Sequence, residues 1–508
     1  MRRAYDVAAV RSAESRALGD VGDEALMARA AAGLAGHIRG VLTAARRVVV
    51  NGDVALIVGA GNNGGDVLYA GAELARRGAR VTAIPVFDRA HEAGRAALEA
   101  AGGRVHDIEA ESDLPRAIQV VQQADVVVDG VLGIGGHGSL PEPAATLVRA
   151  ASGGEAFRIA ADVPSGVDAD TGVVEAPEST FQADLTVTFG CLKPGLVTSP
   201  GREYAGAVEV VDIGLGTYLP PVPIARVLQH ADLAEYVAGP RPNDHKYSRG
   251  VVGVLAGSAR YPGAGVLTVG GARRSGVGMV RFADRGDGVG EAVVRAYPDV
   301  VLQHDPPADD PRVSTWVVGP GMGHGRSEER WLQRVLAADV PVVLDADALR
   351  MYVGSEDVRR QVRSRSERGA LTVLTPHTGE FAAAFGAVGP QGRIQSTREA
   401  AEQSGCLVVL KGSGTVVAGQ RGAAYLDPIA AHELATAGSG DVLAGLLGGF
   451  LASRAARQSS SESARCAAAA VYTHGLAARL AAADDRPIVA TDIVDAVADA
   501  IALLRRSA

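Results

Sequence analysis

The sequence of 508 residues is poor in cysteine and in aromatic residues. Its three cysteines, Cys191, Cys406 and Cys466, form no CxxC pair and match no zinc-ligand spacing. Scattered cysteines of this kind indicate buried, reduced thiols in a reducing compartment. Aromatic residues make up 4% of the chain, whereas 64 residues are glycine. Such a composition favours close packing of helices on sheets through small side chains.

The sequence also lacks an excess of positive charge and long hydrophobic runs. The formal net charge is −8, so no basic surface favours binding to nucleic acid. No uninterrupted apolar run is long enough to span a bilayer. The stretch MRRAYDVAAVRSAESRALGD has no apolar core typical of a signal peptide. We therefore expect a cytoplasmic protein that binds small molecules and neither nucleic acid nor membranes.

Apolar strands alternate with helices in both halves of the chain. DVALIVGA and RVTAIPVF, for example, flank the helical segment DVLYAGAELARRG. Fully apolar strands that alternate with helices predict a parallel sheet covered on both faces. Three prolines, Pro220, Pro221 and Pro223, interrupt this alternation before it starts again. We expect an α/β protein with domains at 1–218 and 225–508 and a Pro-rich linker at 219–224.

A glycine-rich turn, VGAGNNGGDV, lies between a strand and a helix of the first half. It satisfies G-x-G-x-x-G, and Asp88 follows at a spacing acceptable for a ribose ligand, so dinucleotide binding is one interpretation. However, Asn62 and Asn63 place two amides where that fingerprint has small residues. Asp66 would repel a pyrophosphate at the helix end. The turn better suits a ligand with hydroxyls or a cation, and a purely capping turn is the alternative.

Two further acids of this half follow apolar strands. Asp129 precedes a glycine loop in DVVVDGVLGIGGHGS, and Asp162 lies in RIAADVPSGVD with Ser165 three residues later. Ligands of open parallel sheets bind outside the carboxyl ends of the strands, so Asn63, Asp129 and Asp162 should converge. Such oxygen ligands suit an alkali or alkaline-earth cation rather than zinc. For each acid alone, a loop cap is the alternative.

GNNGGD, the Asp129 strand end with its glycine loop, and DVPSGVD together resemble the NAD(P)H-hydrate epimerase family over roughly residues 1–218. The resemblance implies a Rossmann-like three-layer sandwich and a potassium ion at Asn63, Asp129 and Ser165. Val67 stands where family members usually have glycine. The residues implied to contact the hydrated nicotinamide nucleotide are Asn62, Asn63, Gly64, Gly65, Asp66, Gly133, Ile134, Gly135, Gly136, His137, Gly138, Ser139 and Asp162.

Epimerisation at the carbon that bears the added hydroxyl needs a general acid or base near the ring. Asp162 is the candidate catalytic residue, because it is placed at a strand end beside the expected ligand loops.

In the second half, LATAGSGDVLAGLLGGF places Asp441 where a glycine turn meets an apolar helix. The helix carries its larger apolar residues at helical spacing: Val442, Leu443, Leu446, Leu447 and Phe450. Backbone N–H groups at such a helix start form an anion hole for phosphate. An acid beside it can take a proton from a hydroxyl that attacks phosphorus. The alternative is a helix-capping aspartate.

Seven segments, in this order, resemble the ADP- or ATP-dependent NAD(P)H-hydrate dehydratases: HKYSRG, GSARYPGAG, GPGMG, DADAL, TPHTGE, KGSGT and ATAGSGD. The resemblance covers roughly residues 225–508 and implies a ribokinase-like α/β domain. It implies that Ala264, Gly323, His377 and Asp441 face the hydrated nicotinamide. The residues implied to hold the adenine nucleotide are Lys411, Gly412, Ser413, Gly414, Thr415 and Gly440. Bacterial members generally use ADP, and Mg²⁺ is expected with the nucleotide.

We therefore predict a bifunctional repair enzyme. Its first half would epimerise hydrated NADH and NADPH. Its second half would phosphorylate the ring hydroxyl of the S epimer with ADP, and loss of phosphate would then regenerate NAD(P)H. The rival is a ribokinase-like small-molecule kinase fused to a Rossmann-like nucleotide-binding module, and a non-enzyme rival is a first half that only binds or assembles. NNGGD and TPHTGE favour repair. We expect a homo-oligomer, since relatives associate.

Overall fold

The computed structural model describes residues 1–46, 49–136, 138–304, 310–453 and 460–506. The chain divides into two compact units, Arg3–Ile224 and Ala225–Ala508, and the second also includes Met1–Arg2. Each unit is a sheet with helices on both faces, as the alternation of strands and helices predicted. Within the ranges described, no helix is both long and apolar enough to cross a bilayer.

The first unit contains a seven-stranded sheet in the order β4-β3-β2-β5-β6-β7-β8, and all its neighbouring pairs are parallel. The strands to residue 211 are β1 (Arg2–Ala4), β2 (Asp53–Val58), β3 (Arg80–Pro85), β4 (Arg104–Val105), β5 (Val126–Gly130), β6 (Phe157–Ala161), β7 (Leu185–Phe189) and β8 (Ala207–Val211). The helices are α1 (Val7–Val21), α2 (Asp23–Arg46), α3 (Asn62–Arg76), α4 (Glu92–Ala100), α5 (Leu114–Gln123), α6 (Ala144–Ser152) and α7 (Gly201–Ala205).

Strand β2 shows why this unit has three layers. Val54, Leu56 and Val58 pack on one face of the sheet with residues of α2 and α3. Ala55 and Ile57 pack on the other face with residues of α5 and α6. Successive side chains of a strand point to opposite faces, so a wholly apolar strand requires cover on both. The strand order reverses between β2 and β5, where the carboxyl ends of parallel strands leave a crevice for ligands.

The second unit contains a sheet with its strands in the order β9-β18-β17-β16-β15-β14-β13-β10-β11-β12. Pairs from β15–β16 to β11–β12 are parallel, whereas β16, β17 and β18 form antiparallel pairs. Its strands are β9 (Ala225–Val227), β10 (Val251–Leu255), β11 (Met279–Ala283), β12 (Val301–Gln303), β13 (Thr315–Val318), β14 (Val342–Leu344), β15 (Thr372–Leu374), β16 (Leu407–Leu410), β17 (Val416–Ala418) and β18 (Ala424–Leu426). Its helices are α8 (Pro262–Arg274), α9 (Val289–Ala296), α10 (Arg326–Leu336), α11 (Asp347–Gly354), α12 (Glu356–Glu367), α13 (Thr378–Phe385), α14 (Gly392–Ser404), α15 (Ser439–Ala452), α16 (Ser460–Ala481) and α17 (Ala490–Arg506).

Helix α15 is buried from Val442 to its end and packs closely on α8. Two glycines make this approach possible. A Cβ added to Gly271 of α8 would stand 2.2 Å from the Val442 oxygen, and one added to Gly445 would stand 1.9 Å from the Thr268 oxygen. The small residues therefore set the depth of α15 in the core and with it the position of Asp441.

Candidate active sites

The turn between β2 and α3 places Asn63 beside two neighbouring strand ends. Its Nδ2 donates hydrogen bonds to the carbonyl oxygens of Leu132, at 2.9 Å, and Ala161, at 3.2 Å. Its Oδ1 is buried and has no hydrogen-bond partner among the described residues. Helix α3 begins after Gly61 without a side-chain cap, so the capping alternative for the asparagines is wrong. A buried amide oxygen without a partner indicates a ligand site, because buried polar atoms are normally paired.

Asp129 and Ser165 complete a buried cluster next to Asn63. Asp129 Oδ1 accepts hydrogen bonds from Ser165 Oγ, at 2.7 Å, and from the Val131 amide, at 3.1 Å. Its Oδ2 accepts from the Ser165 amide at 2.7 Å. The Leu132 amide donates to Ser165 Oγ at 2.9 Å. Burial raises the pKa of Asp129 to about 6, although the Ser165 hydrogen bonds oppose this shift.

Asp162 forms a buried ion pair that the sequence did not indicate. Its Oδ1 lies 2.6 Å from Lys193 Nζ, and it accepts weaker hydrogen bonds from Thr188 Oγ1 and the Phe189 amide. Lys193 follows β7 in the segment CLKPG, and its side chain is only 1% exposed. Asp162 itself has a left-handed backbone, with φ of 66°. A buried lysine ammonium without a partner would destabilise the fold. The Asp162 carboxylate supplies that partner at the site.

The loop after β5 faces both Asn63 and Asp162. A Cβ added to Gly133 would stand 3.4 Å from Asn63 Cβ and 3.5 Å from Asp162 Oδ2. Gly64 is buried where the turn folds back on the end of β2. A Cβ added to it would stand 2.2 Å from the Gly59 oxygen. His137, one of the predicted substrate residues, lies outside the described residues. The structure thus brings together Asn63, Asp129, Gly133, Asp162 and Ser165.

The roles of Asn62, Gly65, Asp66, Gly136, Gly138 and Ser139 as substrate contacts stay predictions.

In the second unit, Asp441 is the third residue of α15 and Gly438 occupies the N-cap, with φ of 87°. Gly438 has no side chain to cap the helix, so the reading of Asp441 as a simple cap is wrong. The first amides of a helix have no partner within it, so they are available to an anion. Burial raises the pKa of Asp441 to about 7; nearby Asp345 raises it further and Lys411 lowers it.

Lys411 connects the KGSGT loop to the start of α15. Its Nζ lies 2.6 Å from Asp345 Oδ1, and Thr375 Oγ1 donates to the same oxygen at 2.7 Å. A Cβ added to Gly440 would stand 3.7 Å from Lys411 Nζ. Burial lowers the pKa of Lys411, but Asp345, Glu380 and Asp441 together outweigh it and the net pKa is raised. Asp345 was noted only as part of DADAL, and the ion pair makes it a member of the site.

The loop from Gly412 to Thr415 lies between the antiparallel strands β16 and β17. Arg393 supports its entry, since Nη2 donates to the Lys411 oxygen at 3.0 Å. Thr415 Oγ1 donates to the Gly412 oxygen at 3.1 Å and helps close the loop. The proposed nucleotide contacts of this loop are not tested by these hydrogen bonds and stay predictions.

The other predicted nicotinamide contacts lie at loops around the same sheet edge. The Gly323 amide donates to Asp347 Oδ2 at 2.9 Å, and a Cβ on Gly321 would stand 2.7 Å from Ala264 Cβ. His377 is the N-cap of α13, and its Nδ1 accepts from the amides of Gly379 and Glu380. The other ring nitrogen, Nε2, lies 3.6 Å from Glu380 Oε2.

His474 of α16 is a buried neighbour of the anion hole that the sequence analysis missed. It hydrogen-bonds to the backbone of Ser439, the first residue of α15. Burial and the Lys411 charge lower the pKa of His474 to about 4, against the raising effect of the Ser439 bond. Its Nε2 has no hydrogen-bond partner within the described part of the chain. The only sequence signal is the segment VYTHG, a lone histidine within an apolar helix.

Comparisons with known proteins give matches in both units. Residues 23–195 match the family model described as the YjeF-related protein N-terminus. Residues 252–499 match the model described as NAD(P)H-hydrate dehydratase. Among solved structures, the chain is similar to the ADP/ATP-dependent NAD(P)H-hydrate dehydratase from Bacillus subtilis co-crystallized with ATP/Mg²⁺. That similarity has 27% identity, a TM-score of 0.46, and covers 56% of this chain and 99% of that one.

Relatives match over most or all of the chain. The Mycobacterium leprae protein named bifunctional NAD(P)H-hydrate repair enzyme Nnr is 41% identical over 512 residues, which is 99% of this chain and 100% of the relative. The Escherichia coli protein of the same name is 32% identical and covers 86% of this chain and 83% of its own length. Because this degree of identity extends over both units, the chain belongs to the family of bifunctional NAD(P)H-hydrate repair enzymes.

Proposed function

We propose that this chain repairs hydrated NADH and NADPH in two reactions, one in each unit. The first unit interconverts the R and S epimers. The second transfers a phosphoryl group to the ring hydroxyl of the S epimer, and loss of phosphate regenerates the dihydronicotinamide. A stereospecific dehydratase alone would leave half of an epimeric mixture unrepaired, so the two reactions belong together.

Asp441 carries the proposal for the second unit. Its raised pKa, about 7, suits a group that accepts a proton near neutral pH. In the proposed step, Asp441 takes the hydroxyl proton while the hydroxyl oxygen attacks the terminal phosphorus of ADP. The bond to the bridging oxygen breaks, and AMP leaves with that electron pair. The amides at the start of α15 and the Lys411 ammonium stabilise the charge on the phosphoryl oxygens.

After phosphoryl transfer, the loss of phosphate is driven by the substrate's own ring nitrogen. A phosphate ester is a better leaving group than a hydroxyl, and the ring nitrogen can expel it with its lone pair. Loss of a proton from the adjacent carbon then restores the ring double bond. Mg²⁺ would accompany the nucleotide and neutralise phosphate charge.

For the first unit, we propose that Asp162 is the acid–base residue and that Asn63, Asp129 and Ser165 hold K⁺. The donor set fits a monovalent cation, because Asn63 Oδ1 is unpartnered in the described chain and Asp129 is buried beside hydroxyl and amide donors alone. A bound K⁺ would compensate the Asp129 carboxylate and keep the loop after β5 in place. Lys193 holds Asp162 Oδ1, and Oδ2 faces Gly133, where the ligand loop begins.

The decisive experiment gives the full-length protein an epimeric mixture of chemically hydrated NADH, with ADP and ATP in parallel reactions. Absorbance near 340 nm measures the regained dihydronicotinamide, and chiral chromatography measures each epimer (the wavelength, about 340 nm, belongs to the reduced cofactor). We expect nucleotide-dependent conversion of both epimers. A stable phosphorylated product without regained absorbance would favour the small-molecule kinase. If the S epimer is converted and the R epimer disappears only at its spontaneous rate, the result would favour a first unit that binds the hydrate without epimerising it.

We propose ADP as the phosphoryl donor and small molecules as the partners of the chain, with the protein active as a homo-oligomer in the cytoplasm.

A further inference from the structure

Helix α1 forms one side of the proposed epimerase site. The Tyr5 amide donates to the Leu192 oxygen at 3.0 Å, next to Lys193 in sequence. The Val7 amide donates to Asp170 Oδ1 at 2.7 Å, in the segment after β6. Ile134 of the ligand loop packs against the cluster of Tyr5, Val10 and Cys191. The helix is therefore joined to the loops that follow β5, β6 and β7.

Two charged residues of α1, one helical turn apart, face this site. Arg11 lies against the ligand loop, because a Cβ added to Gly135 would stand 2.9 Å from Arg11 Nη2. Glu14 is half-buried and lies within electrostatic reach of Asp162, Lys193 and Arg11. Two carboxyl groups, one from α1 and one from the end of β6, thus share the surroundings of a single buried lysine.

Burial raises the pKa of Glu14, and the Asp162 charge raises it further, whereas Lys193 and Arg11 lower it. The other titratable neighbour is Cys191, in the loop after β7. Burial raises the pKa of its thiol to about 11, so Cys191 is neutral near pH 7. Carboxyl groups in one site with unlike surroundings are the arrangement that supports paired acid and base roles.

We infer that Glu14 is the second proton-transferring carboxyl group of the epimerase site and acts together with Asp162. The inference rests on the proposed epimerase function and adds a residue to it. Epimerisation must remove a hydroxyl from one face of a carbon and return one to the other face. One carboxyl group must therefore donate a proton while another accepts one, and the roles exchange in the reverse reaction.

In the direction in which Glu14 donates, one proton leaves Glu14 and one is taken up by Asp162. The hydroxyl-bearing carbon is bonded to the ring nitrogen, since an enamine takes up water with its oxygen next to nitrogen. The carbon–oxygen bond breaks, its electron pair stays with oxygen, and oxygen takes the Glu14 proton and leaves as water. The nitrogen lone pair forms a carbon–nitrogen double bond. Water then adds from the opposite face, closes that double bond, and gives its proton to Asp162.

The test compares Glu14→Gln with the parent, and Glu24→Gln serves as the matched control. Glu24 is an exposed glutamate near the start of α2. Initial rates of R-to-S and S-to-R conversion of hydrated NADH are measured across pH, with the binding constant for the hydrate. We expect Glu14→Gln to slow epimerisation by ~10²–10⁴-fold and to leave hydrate binding within about 2-fold. Glu14→Asp should recover part of the lost rate, and Glu24→Gln should match the parent.

The pH profile adds a readout that a purely structural role would not move. The parent rate with Glu14 as donor should fall as pH rises through the raised pKa of Glu14, and Glu14→Gln should lose this limb. The dehydratase rate of the same variant, measured with isolated S epimer, checks that the chain is folded. In heavy-oxygen water, each conversion should introduce a solvent oxygen into the hydroxyl.

The outcomes separate this inference from the proposed function. If the parent itself does not epimerise, the proposed function fails and the inference fails with it. If the parent epimerises and Glu14→Gln keeps both its rate and its pH limb, only the inference is overturned. Retention of the original hydroxyl oxygen in the parent would overturn the loss and return of water.

Discussion

Lys411 Nζ lies 2.6 Å from Asp345 Oδ1, and this partly buried ion pair lies near Asp441 at the start of α15. The strand-end acid and the loop lysine come from segments 66 residues apart. Among the described residues no cation is hydrogen-bonded to Asp441, and burial with the Asp345 charge raises its pKa to about 7. The two acids therefore have different roles. Asp345 holds the Lys411 ammonium, and Asp441 is suited to transfer a proton.

Asp441→Asn should abolish dehydration and spare epimerisation. The amide has the same shape but cannot accept the hydroxyl proton, so we expect a loss of ~10²–10⁴-fold in the dehydratase rate. Nucleotide-dependent gain of absorbance with S epimer and chiral analysis without nucleotide measure the two reactions separately. Asp499→Asn, at an exposed position of α17, is the control. Normal dehydration by Asp441→Asn would contradict the assigned role.

The dehydratase rate should rise with pH through about 7, because Asp441 must lose its proton before it can accept one. Lys411 lowers the pKa of Asp441, so Lys411→Gln should raise that pKa and move the rising limb to higher pH. The variant should also bind nucleotide more weakly. A pH–rate profile at saturating hydrate and nucleotide measures the shift. If the rise of the dehydratase rate with pH stays in place or moves to lower pH in Lys411→Gln, Asp441 is not the titrating group.

Potassium should stabilise the first unit. A ligand that binds only the folded state raises its stability by mass action. The first unit should therefore unfold at a higher temperature in KCl than in LiCl at equal ionic strength. Asp129→Asn removes the buried carboxylate proposed to bind the ion and should remove the difference between the two salts. Thermal unfolding monitored in both salts, with epimerase rates in parallel, provides the measurement. An equal shift in parent and variant would assign the salt effect to another place.

Lys193→Met should inactivate the epimerase and lower the free energy of unfolding of the first unit. The side chain of Lys193 is 1% exposed and that of Asp162 is 12% exposed, so the substitution leaves a carboxylate in apolar surroundings. Breaking a buried pair in this way costs ~3–5 kcal/mol. Urea unfolding of Lys193→Met, Asp162→Asn and the double variant tests the pairing, because the two losses should not add. Additive losses would mean that the two side chains do not interact.

Gly445→Ala should destabilise the second unit and reduce dehydration. The added Cβ would stand 1.9 Å from the Thr268 oxygen, so α15 must move away from α8 and carry Asp441 with it. Overpacking of this kind costs ~1–3 kcal/mol. Gly354→Ala is the matched control, since a Cβ at Gly354 of α11 has no neighbour within 4 Å among the described residues. Denaturant unfolding and dehydratase rates of both variants decide whether the close contact matters.

The strand pattern of the chain was readable because its long strands are wholly apolar. β2 and β5 are buried along their lengths or nearly so, and each was predicted from an apolar run. The strands β9, β12 and β18 were not recognised. Each is three residues long, which is too short to show a periodicity.

The residues of the candidate sites could be predicted from the sequence only in part. Asn63, Asp129 and Asp162 were predicted to converge because strand ends in a parallel sheet face one edge, and the structure brings them together with Ser165, which only the family resemblance had indicated. Asp441 was recognised from its glycine turn. Lys193, Glu14 and His474 carried no motif of their own in the sequence, and His377 is now known to cap α13 through Nδ1.

The sequence by itself determined the two α/β sheets, the loops at their strand ends and the order of the ligand-bearing segments, since apolar periodicity and glycine turns are local properties. Only the tertiary structure decided which charges are buried together: Lys193 with Asp162, Lys411 with Asp345, and Glu14 near the first pair. Burial and pairing set the free energy of each charged form, and both depend on neighbours that are distant in the chain.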